Sequence, residues 1–554
     1  MNLITGRSAF LSLLKDEGVT HLFGNPGTTE LPIMDALPDH PDLTYVLGLQ
    51  ESVVVAMADG FARASGKLAA CNVHVAPGLG NAMGALFNAK FTGSPMIVTA
   101  GQQEQGHGLT EPLLYAPLVP IAAPLVKWAT EVTRLEDLPR IVRRAAKVAT
   151  TPPTGPVFIS LPGDILNAEA GIDLGRRTRV DARARPSDGA LRSLAERLCA
   201  AENPAIVAGD EVVTSDAFAD IAVLAETLGA PAWQQTVPYG AHFPSEHPAF
   251  MGALTRDQAQ VRRTLEAHDL VLFVGADVLR MSVWSPVEPL PEDVAVIQIG
   301  LDDWEMGKNY PAALALRGDV GETLAALIPI LKDKLGSGGR DRARARLAVL
   351  EDRNWSARRA KLQADTAALA EITPIAGDWL MLQIAQALPE DAVVVNEGLT
   401  TAARLLDLLP FRDRHGFHAL AGGGIGWAIA ASVGIQLAHP ARPVLAVIGD
   451  GSAMYAIQAL WTAAHLDLPI TYVIADNKGY RILKQRLLAF HGNDNFIAMD
   501  FLEPEIDFVG LARSLGMTAE RITAPGDVRP RLDAAIASRK PTLLDVIVDR
   551  TVGA

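Results

Sequence analysis

The sequence predicts an α/β chain of three consecutive domains, each a parallel sheet covered by helices. Short apolar runs that stop at Gly, Asp or Asn alternate with helical periods along the whole chain, which is the pattern of strand–helix–strand crossovers. At 554 residues the chain exceeds what one core sustains, because single cores stop growing at about 250 to 300 residues. Two hydrophilic stretches interrupt the alternation: the basic, Pro-containing LGRRTRVDARARPSDG at 174–189, and a charge-dense stretch from Lys332 to Ile372. They divide the chain into a first domain over 1–173, a middle domain over 190–331, an exposed charged connecting helix or linker over 332–371, and a third domain over 372–554.

In the first domain the strands are read in HLFGN, LTYVLGL, LAACNVH, PMIVTAG and GPVFISLP. The middle domain has PAIVAGDEV, APAWQQT, LVLFVGADV and VAVIQIGLD, and the third has AVVVNEG, VLAVIGDG, ITYVIADN and PTLLDVIVD. The N-terminal MNLITGRSAFLSLLKDEG has a short apolar core followed by Lys15, Asp16 and Glu17, so it reads as an amphipathic helix and not as a signal peptide. No window reaches the roughly 18 apolar residues of a membrane span.

A composition of 49% apolar and 20% charged residues is that of a globular protein. A net charge of −14 repels polyphosphate backbones, which argues against nucleic acid as a partner and leaves small molecules. Cys71 and Cys199 stand far apart and suggest neither a disulfide framework nor a zinc site. A soluble, cytoplasmic protein is expected.

Two strand ends carry the chemistry. VIGDGSAMY (447–455) ends on Asp450, and VIADNKGY (473–480) ends on Asn477. Taken singly, one is a tight turn and the other an Asx-type turn. Their separation of 477 − 450 = 27 residues, with a helix and a strand between, puts a carboxylate and a carboxamide at neighbouring carboxyl ends of one parallel sheet, where such sheets bind ligands. These are hard oxygen donors suited to Mg²⁺ or Ca²⁺ with a phosphate as co-ligand. The helix after GDG can add N–H groups to the same phosphate. Neither a Walker-type loop nor a dinucleotide fingerprint occurs: APGLGNAMG (76–84) and AGGGIGWA (421–428) are glycine-rich at the wrong spacing.

Around 449–480, and in outline over its whole length, the chain resembles the thiamine-diphosphate-dependent enzymes of the 2-oxo acid decarboxylase and acetolactate synthase superfamily. The segments FGNPGTTELP, NVHVAPGLGNAMGAL, IVTAGQQ, PLVKWA and GDGSAMYAIQALWTAA look most like the benzoylformate decarboxylases of that group. The resemblance implies pyrimidine-binding, middle and diphosphate-binding domains, in that order. It implies that Asp450, Asn477 and the backbone oxygen of Gly479 hold Mg²⁺ against the cofactor diphosphate, with Asp476 where an Asn is common. Asn25, Pro26, Gly27, Gly398, Leu399, Thr400, Gly423, Gly449, Gly451, Ser452 and Tyr480 are its further cofactor-binding positions, and Ile425 is the apolar wedge beneath the cofactor.

Glu51, which on its own reads as a helix N-terminal acid favoured by the dipole, takes the role of the glutamate that contacts the aminopyrimidine. It does so across an interface between two subunits, so a homo-oligomer, a dimer of dimers, is implied. Thr28 stands where a serine hydroxyl holds substrate, and His74 where a histidine moves protons.

The departures concern the substrate pocket, for which the resemblance marks Leu113, Leu114, Ser282, Ala419, Ile482 and Arg486. Ser282 replaces a second histidine, Ala419 and Arg486 replace aromatic residues, and Ile482 is bulkier than the usual residue. His107, His418 and His491 are spare proton-transfer candidates. The implied reaction is non-oxidative decarboxylation of a 2-oxo acid to an aldehyde and carbon dioxide, with carboligation, or its reversal by a lyase, as the alternative. A non-catalytic cofactor-binding paralogue is a third reading, disfavoured by the presence of Glu51, Asp450 and Asn477 together.

Overall fold

The computed structural model describes residues 3–552; residues 1–2 and 553–554, at the limits of the two outer domains, lie outside it. The predicted architecture holds: three six-stranded, fully parallel sheets follow one another, each wrapped by helices. The N-terminal helix Gly6–Asp16 buries Phe10, Leu11, Leu13 and Leu14 and is capped by Thr5, whose hydroxyl accepts the Ser8 N–H at 3.3 Å. A two-stranded antiparallel pair, Ile4–Thr5 with Glu169–Ala170, fastens the chain end. Among the described residues no helix is long and apolar enough to cross a membrane.

The N-terminal sheet runs from edge to edge as Thr44–Leu47, His21–Gly24, Ala69–Val73, Met96–Gln102, Val157–Pro162 and Ala129–Glu131. Counted along the chain, that order is 2-1-3-4-6-5. The C-terminal sheet runs Phe417–Ala419, Val393–Glu397, Val444–Gly449, Ile470–Asp476, Thr542–Ile547 and Thr518–Ile522, which is 2-1-3-4-6-5 again. The middle sheet differs. It runs Phe250–Ala253, Ala232–Gln234, Pro204–Ala208, Leu270–Val274, Ala295–Gly300 and Leu314–Arg317, or 3-2-1-4-5-6, the doubly wound order of dinucleotide folds.

In the N- and C-terminal domains the helices that follow the second strand, Glu51–Ser65 and Trp427–Ala438, pack directly on one another. Small residues permit it: a Cβ on Gly434 would stand 1.9 Å from the Met57 carbonyl oxygen, and one on Gly60 would stand 2.3 Å from that of Ala431. One apolar core therefore spans both domains, joining Val55, Met57 and Phe61 to Ala428, Ala431 and Val433. Across this contact Asp59, fully buried, accepts the Trp427 indole N–H at 2.6 Å. Arg63 lies over the Trp427 ring at 4.6 Å and donates to the carbonyls of Ala419 at 3.1 Å and Tyr239 at 2.7 Å. Thus one arginine touches all three domains.

The stretch 332–371 is largely exposed and helical, in two pieces and with a buried anchor. A helix already under way at Val320 runs on to Ala348, bent at Gly336 where φ is +56°, and a second helix spans Trp355–Ala367. Trp355 is 1% exposed, lies tilted against Phe250 with ring centroids 6.2 Å apart and donates its indole N–H to the Leu406 carbonyl at 3.0 Å. This segment ties the middle domain to the C-terminal one. The density of charge concealed the few apolar residues that do the tying.

Candidate active site

In the N-terminal domain the carboxyl ends of the first and third strands, the switch point of the sheet, bring Asn25, Gly27, Thr28 and His74 together, with Glu51 beside them. Glu51 opens its helix and is 7% exposed; Gln50 caps that helix by accepting the Ser52 and Val53 N–H groups at 2.6 and 3.2 Å. The Glu51 carboxylate is held at Oε1 by the Asn25 amide at 3.4 Å and at Oε2 by the Asn81 amide at 3.0 Å.

His74 lies at the end of its strand, with Nδ1 at 2.7 Å from Glu30 Oε2. Glu30 is fully buried and also accepts the N–H groups of Gly27 and Gly101, each at 2.9 Å, and the Thr29 hydroxyl at 2.8 Å. A carboxylate so placed fixes the ring's orientation and sets the proton on Nδ1, freeing Nε2 for exchange. The ring presses on Gly27, where a Cβ would approach it to 2.2 Å, so only glycine fits. Val75, next in the chain, is β-branched yet has φ of +39°, strain of the kind found where a scaffold over-determines a functional residue. Thr28 is exposed on the same rim.

The C-terminal domain repeats this placement. Asp450, 2% exposed, ends the third strand; Oδ1 accepts the Gly451 N–H at 2.7 Å and Oδ2 the Gly479 N–H at 3.0 Å. Burial pushes its carboxyl up to about 7, and the Asp476 carboxylate alongside adds to the rise. Asn477 is 7% exposed at the neighbouring strand end, and the strain at Lys478, φ +59°, turns the chain sharply after it. Gly449 and Gly451 flank Asp450, and Ser452 beside them is 3% exposed, its hydroxyl on the side of the Glu397 carboxylate. Tyr480 covers Gly451, where a Cβ would come within 2.7 Å of its ring.

On the first strand of this sheet Glu397 is fully buried; it accepts the N–H groups of Gly426 at 2.6 Å and Ala428 at 2.7 Å, and burial raises its carboxyl to about 7. That carboxylate anchors the turn carrying Gly423 and Ile425. Gly398, Leu399 and Thr400 follow it, with Leu399 at φ +45°.

The remaining expected residues divide. Leu113, 85% exposed, and Leu114 lie beyond the fourth strand of the N-terminal sheet, where Gln103 donates to the Leu113 carbonyl at 2.8 Å. Ala419 is buried at the end of the second strand of the C-terminal sheet, while Ile482 and the exposed Arg486 lie on the helix Arg481–His491. Ser282 is exposed in the middle domain, and among the described residues no hydrogen bond brings it to either cluster. His418 is buried in a strand, whereas His107 and His491 are exposed. A cavity of about 1030 Å³ opens elsewhere, between the N-terminal and middle domains beside Phe87, Arg280 and Trp304, and holds none of the expected site residues.

Asp450 is a buried carboxylate with no ion-pair partner among the described residues, a charge that a cation would complete. Asn477 and the Gly479 carbonyl add hard oxygens, and the buried Ser452 hydroxyl lies beside them as a further polar group. No group of three or more His, Cys, Asp or Glu side chains among the described residues is placed to hold a metal, so a mixed set of carboxylate, carboxamide and carbonyl is what the chain offers. The residues fit a divalent cation with a diphosphate.

Comparison with known proteins decides the family. Residues 4–112 match the thiamine pyrophosphate enzyme N-terminal TPP binding domain, 191–327 the central domain, and 400–546 the C-terminal TPP binding domain. The chain belongs to the thiamine pyrophosphate enzymes. It is 35% identical to the benzoylformate decarboxylase of Pseudomonas aeruginosa over 545 residues, covering 98% of each chain. It is 27% identical to a probable acetolactate synthase large subunit of Methanocaldococcus jannaschii, covering 98% of this chain and 92% of the relative. Its fold matches the thiamine diphosphate-dependent 4-hydroxybenzoylformate decarboxylase of Rhodococcus jostii with a TM-score of 0.87 and 33% identity, covering 99% of this chain and 100% of that one. Within the family the chain therefore sides with the decarboxylases and acetolactate synthases.

Three residues of the site were missed from sequence: Glu30, Asn81 and Glu397. Only Glu30 left a local signal, an acid three residues after Gly27, the spacing at which a side chain reaches back to a helix-initiating N–H.

Proposed function

We propose that the protein is a thiamine-diphosphate- and Mg²⁺-dependent decarboxylase of a 2-oxo acid, releasing carbon dioxide and an aldehyde. What carries the reading is that Glu51 follows the second strand of one parallel sheet and the Asp450–Asn477 pair ends the third and fourth strands of the other, all at carboxyl ends, in a chain of this family. Asp450, Asn477 and the Gly479 carbonyl would hold the metal, with Ser452 and the N–H groups after Gly449 on the diphosphate. When bound, the cofactor supplies an electron sink for the bond to carbon dioxide. The chain's own part is positional and protonic. Glu51, fixed by two carboxamides, presents a carboxylate of defined direction to the aminopyrimidine; His74, oriented by Glu30, offers Nε2 to take up or return a proton; the Thr28 hydroxyl donates to the substrate carboxylate.

Within one chain the partners of Glu51 all lie in the N-terminal domain and those of Asp450 all in the C-terminal one. The site is accordingly assigned to two chains, the Glu51 cluster of one facing the Asp450 cluster of the other. Exposed apolar side chains on the segments around the clusters support that pairing, since a partner subunit would cover them: Leu109 is 96% exposed, Leu113 85%, Tyr455 54% and Leu483 48%. Homology to acetolactate synthases keeps carboligation as the second reading.

A panel of 2-oxo acids with and without aromatic side chains, read for carbon dioxide and aldehyde, tests it. Gas with aldehyde is expected. Gas with a hydroxyketone would move the protein to the carboligases, and silence from a protein shown to hold the cofactor would overturn the reading.

A further inference from the structure

The shared strand order has a consequence for the two loops that meet the cofactor in the reading above. In each outer domain the loop after the second strand carries one such residue: Glu51 after Thr44–Leu47, and Ile425 after Phe417–Ala419. In each, helix follows the third strand: Val75–Phe91 in one, and the short Asp450–Ala453 and then Ala459–His465 in the other. One side chain from each helix crosses to the opposite domain, Asn88 to that loop itself and Thr462 to the strand residue that leads into it.

Asn88, 2% exposed, accepts the Gly424 N–H with Oδ1 at 3.0 Å and donates from Nδ2 to the Gly424 carbonyl at 2.7 Å, pairing both polar groups of one backbone residue. Thr462, fully buried, donates its hydroxyl to the Leu47 carbonyl at 2.8 Å. The approach is close enough to require glycine: a Cβ on Gly424 would stand 2.5 Å from the Gly84 carbonyl oxygen, and one on Gly422 would stand 2.7 Å from Asn88 Oδ1.

We propose that Asn88 and Thr462 form a reciprocal clamp, each domain of the chain positioning the cofactor-facing loop of the other. The need is physical. Residues 421–426 include four glycines and no regular structure, and glycine loses more backbone freedom on ordering than any other residue. With Glu397 holding the loop from beneath at Gly426 and Asn88 from the side at Gly424, the intervening Ile425 is fixed before any ligand arrives. Thr462 does the same at the last strand residue before the turn to Glu51. Both are positioning residues, and their functional consequence rests on the reading proposed above.

The test uses the full-length protein carrying Asn88→Ala or Thr462→Val, the second nearly isosteric. Amide hydrogen exchange is followed without cofactor, and thiamine diphosphate with Mg²⁺ is then titrated by tryptophan fluorescence. Asn88→Ala is expected to speed exchange at 420–426 alone and to weaken cofactor binding about tenfold, the equivalent of about 1.4 kcal/mol, as for a buried hydrogen-bonded pair left half made. Thr462→Val is expected to speed exchange at 46–50, to leave cofactor affinity unchanged, and to lower kcat at constant KM, with Thr462→Ser restoring both. Unchanged exchange in either loop, or a uniform rise across the chain, would overturn the clamp. Wild-type protein that binds no cofactor would remove the proposed function, while the exchange patterns would still decide whether the clamp exists.

Discussion

Glu51 lies between two carboxamides that both donate to it, and a glutamine in its place would keep the shape while losing the charge. Glu51→Gln is therefore expected to fold and assemble normally and to lose turnover by about 10² or more, the usual reach of one proton-handling group. Steady-state rates beside gel filtration check it, and an unimpaired variant would end the role given to Glu51. Glu30 makes a contrasting case, since it accepts four donors at once. Glu30→Gln sets an amide against N–H groups, so a stability loss of about 1 to 3 kcal/mol is expected, with His74 freed to turn; urea unfolding and the pH–rate profile of the variant would show the two effects separately. The sequence displayed Glu51, Asp450 and Asn477 because each ends an apolar run. Asn81 and Asn88 were hidden because their partners, Glu51 and Gly424, lie 30 and 336 residues away, and nothing local in a helical Asn announces such a partner.

At the scale of elements, the central strands were legible and the edges were not. Buried on both faces, strands such as Val444–Gly449 and Ile470–Asp476 read as continuous apolar runs. Five of the six edge strands escaped notice. Ala129–Glu131 is nowhere fully buried, and Leu314–Arg317 buries a single residue, so neither leaves a hydrophobic period. The contact between the helices Glu51–Ser65 and Trp427–Ala438 was equally unreadable, because a helix apolar on all sides does not say which neighbour it meets. Glycine marks the crossing. Gly434→Ala drives a methyl into the Met57 carbonyl and is expected to destabilise the protein by about 1 to 3 kcal/mol. Gly189→Ala, near the exposed start of the helix Asp188–Ala200 with only the Ser187 hydroxyl at 3.9 Å, is expected to gain up to about 1 kcal/mol by restricting the unfolded chain. Thermal midpoints of the pair should move in opposite directions.

For the molecule as a whole, strand order and the repeated 2-1-3-4-6-5 topology were beyond the sequence, since apolar runs predict strands without saying which pair. The three domains meet at His418. Its strand bridges to Gly240 of the middle domain, its neighbour Ala419 is held by Arg63 of the N-terminal domain, and its own Nε2 is buried without a partner. Burial, with Arg63, His415, His439 and Arg442 nearby, holds the ring well below the ordinary histidine range. The sign follows from linkage. Above the unfolded value of about 6.5 neither state is protonated and the full stability is present; as pH falls below it, the unfolded chain takes up a proton that folded His418 refuses, and stability falls by about 1.4 kcal/mol per pH unit. His415, held down to about 4, acts in the same direction. Buried Glu397, raised to about 7, opposes them, because its folded form takes up a proton first and gains stability as pH falls from 7 towards 4.5. The total is thus a difference of opposed slopes, but a single substitution isolates one of them. His418→Gln cannot charge. Between pH 7.5 and 5.5 the variant is expected to lose about 1.4 kcal/mol less stability than the parent in urea unfolding, whatever its stability at the upper pH, and parallel losses would show that His418 is protonated in the folded junction.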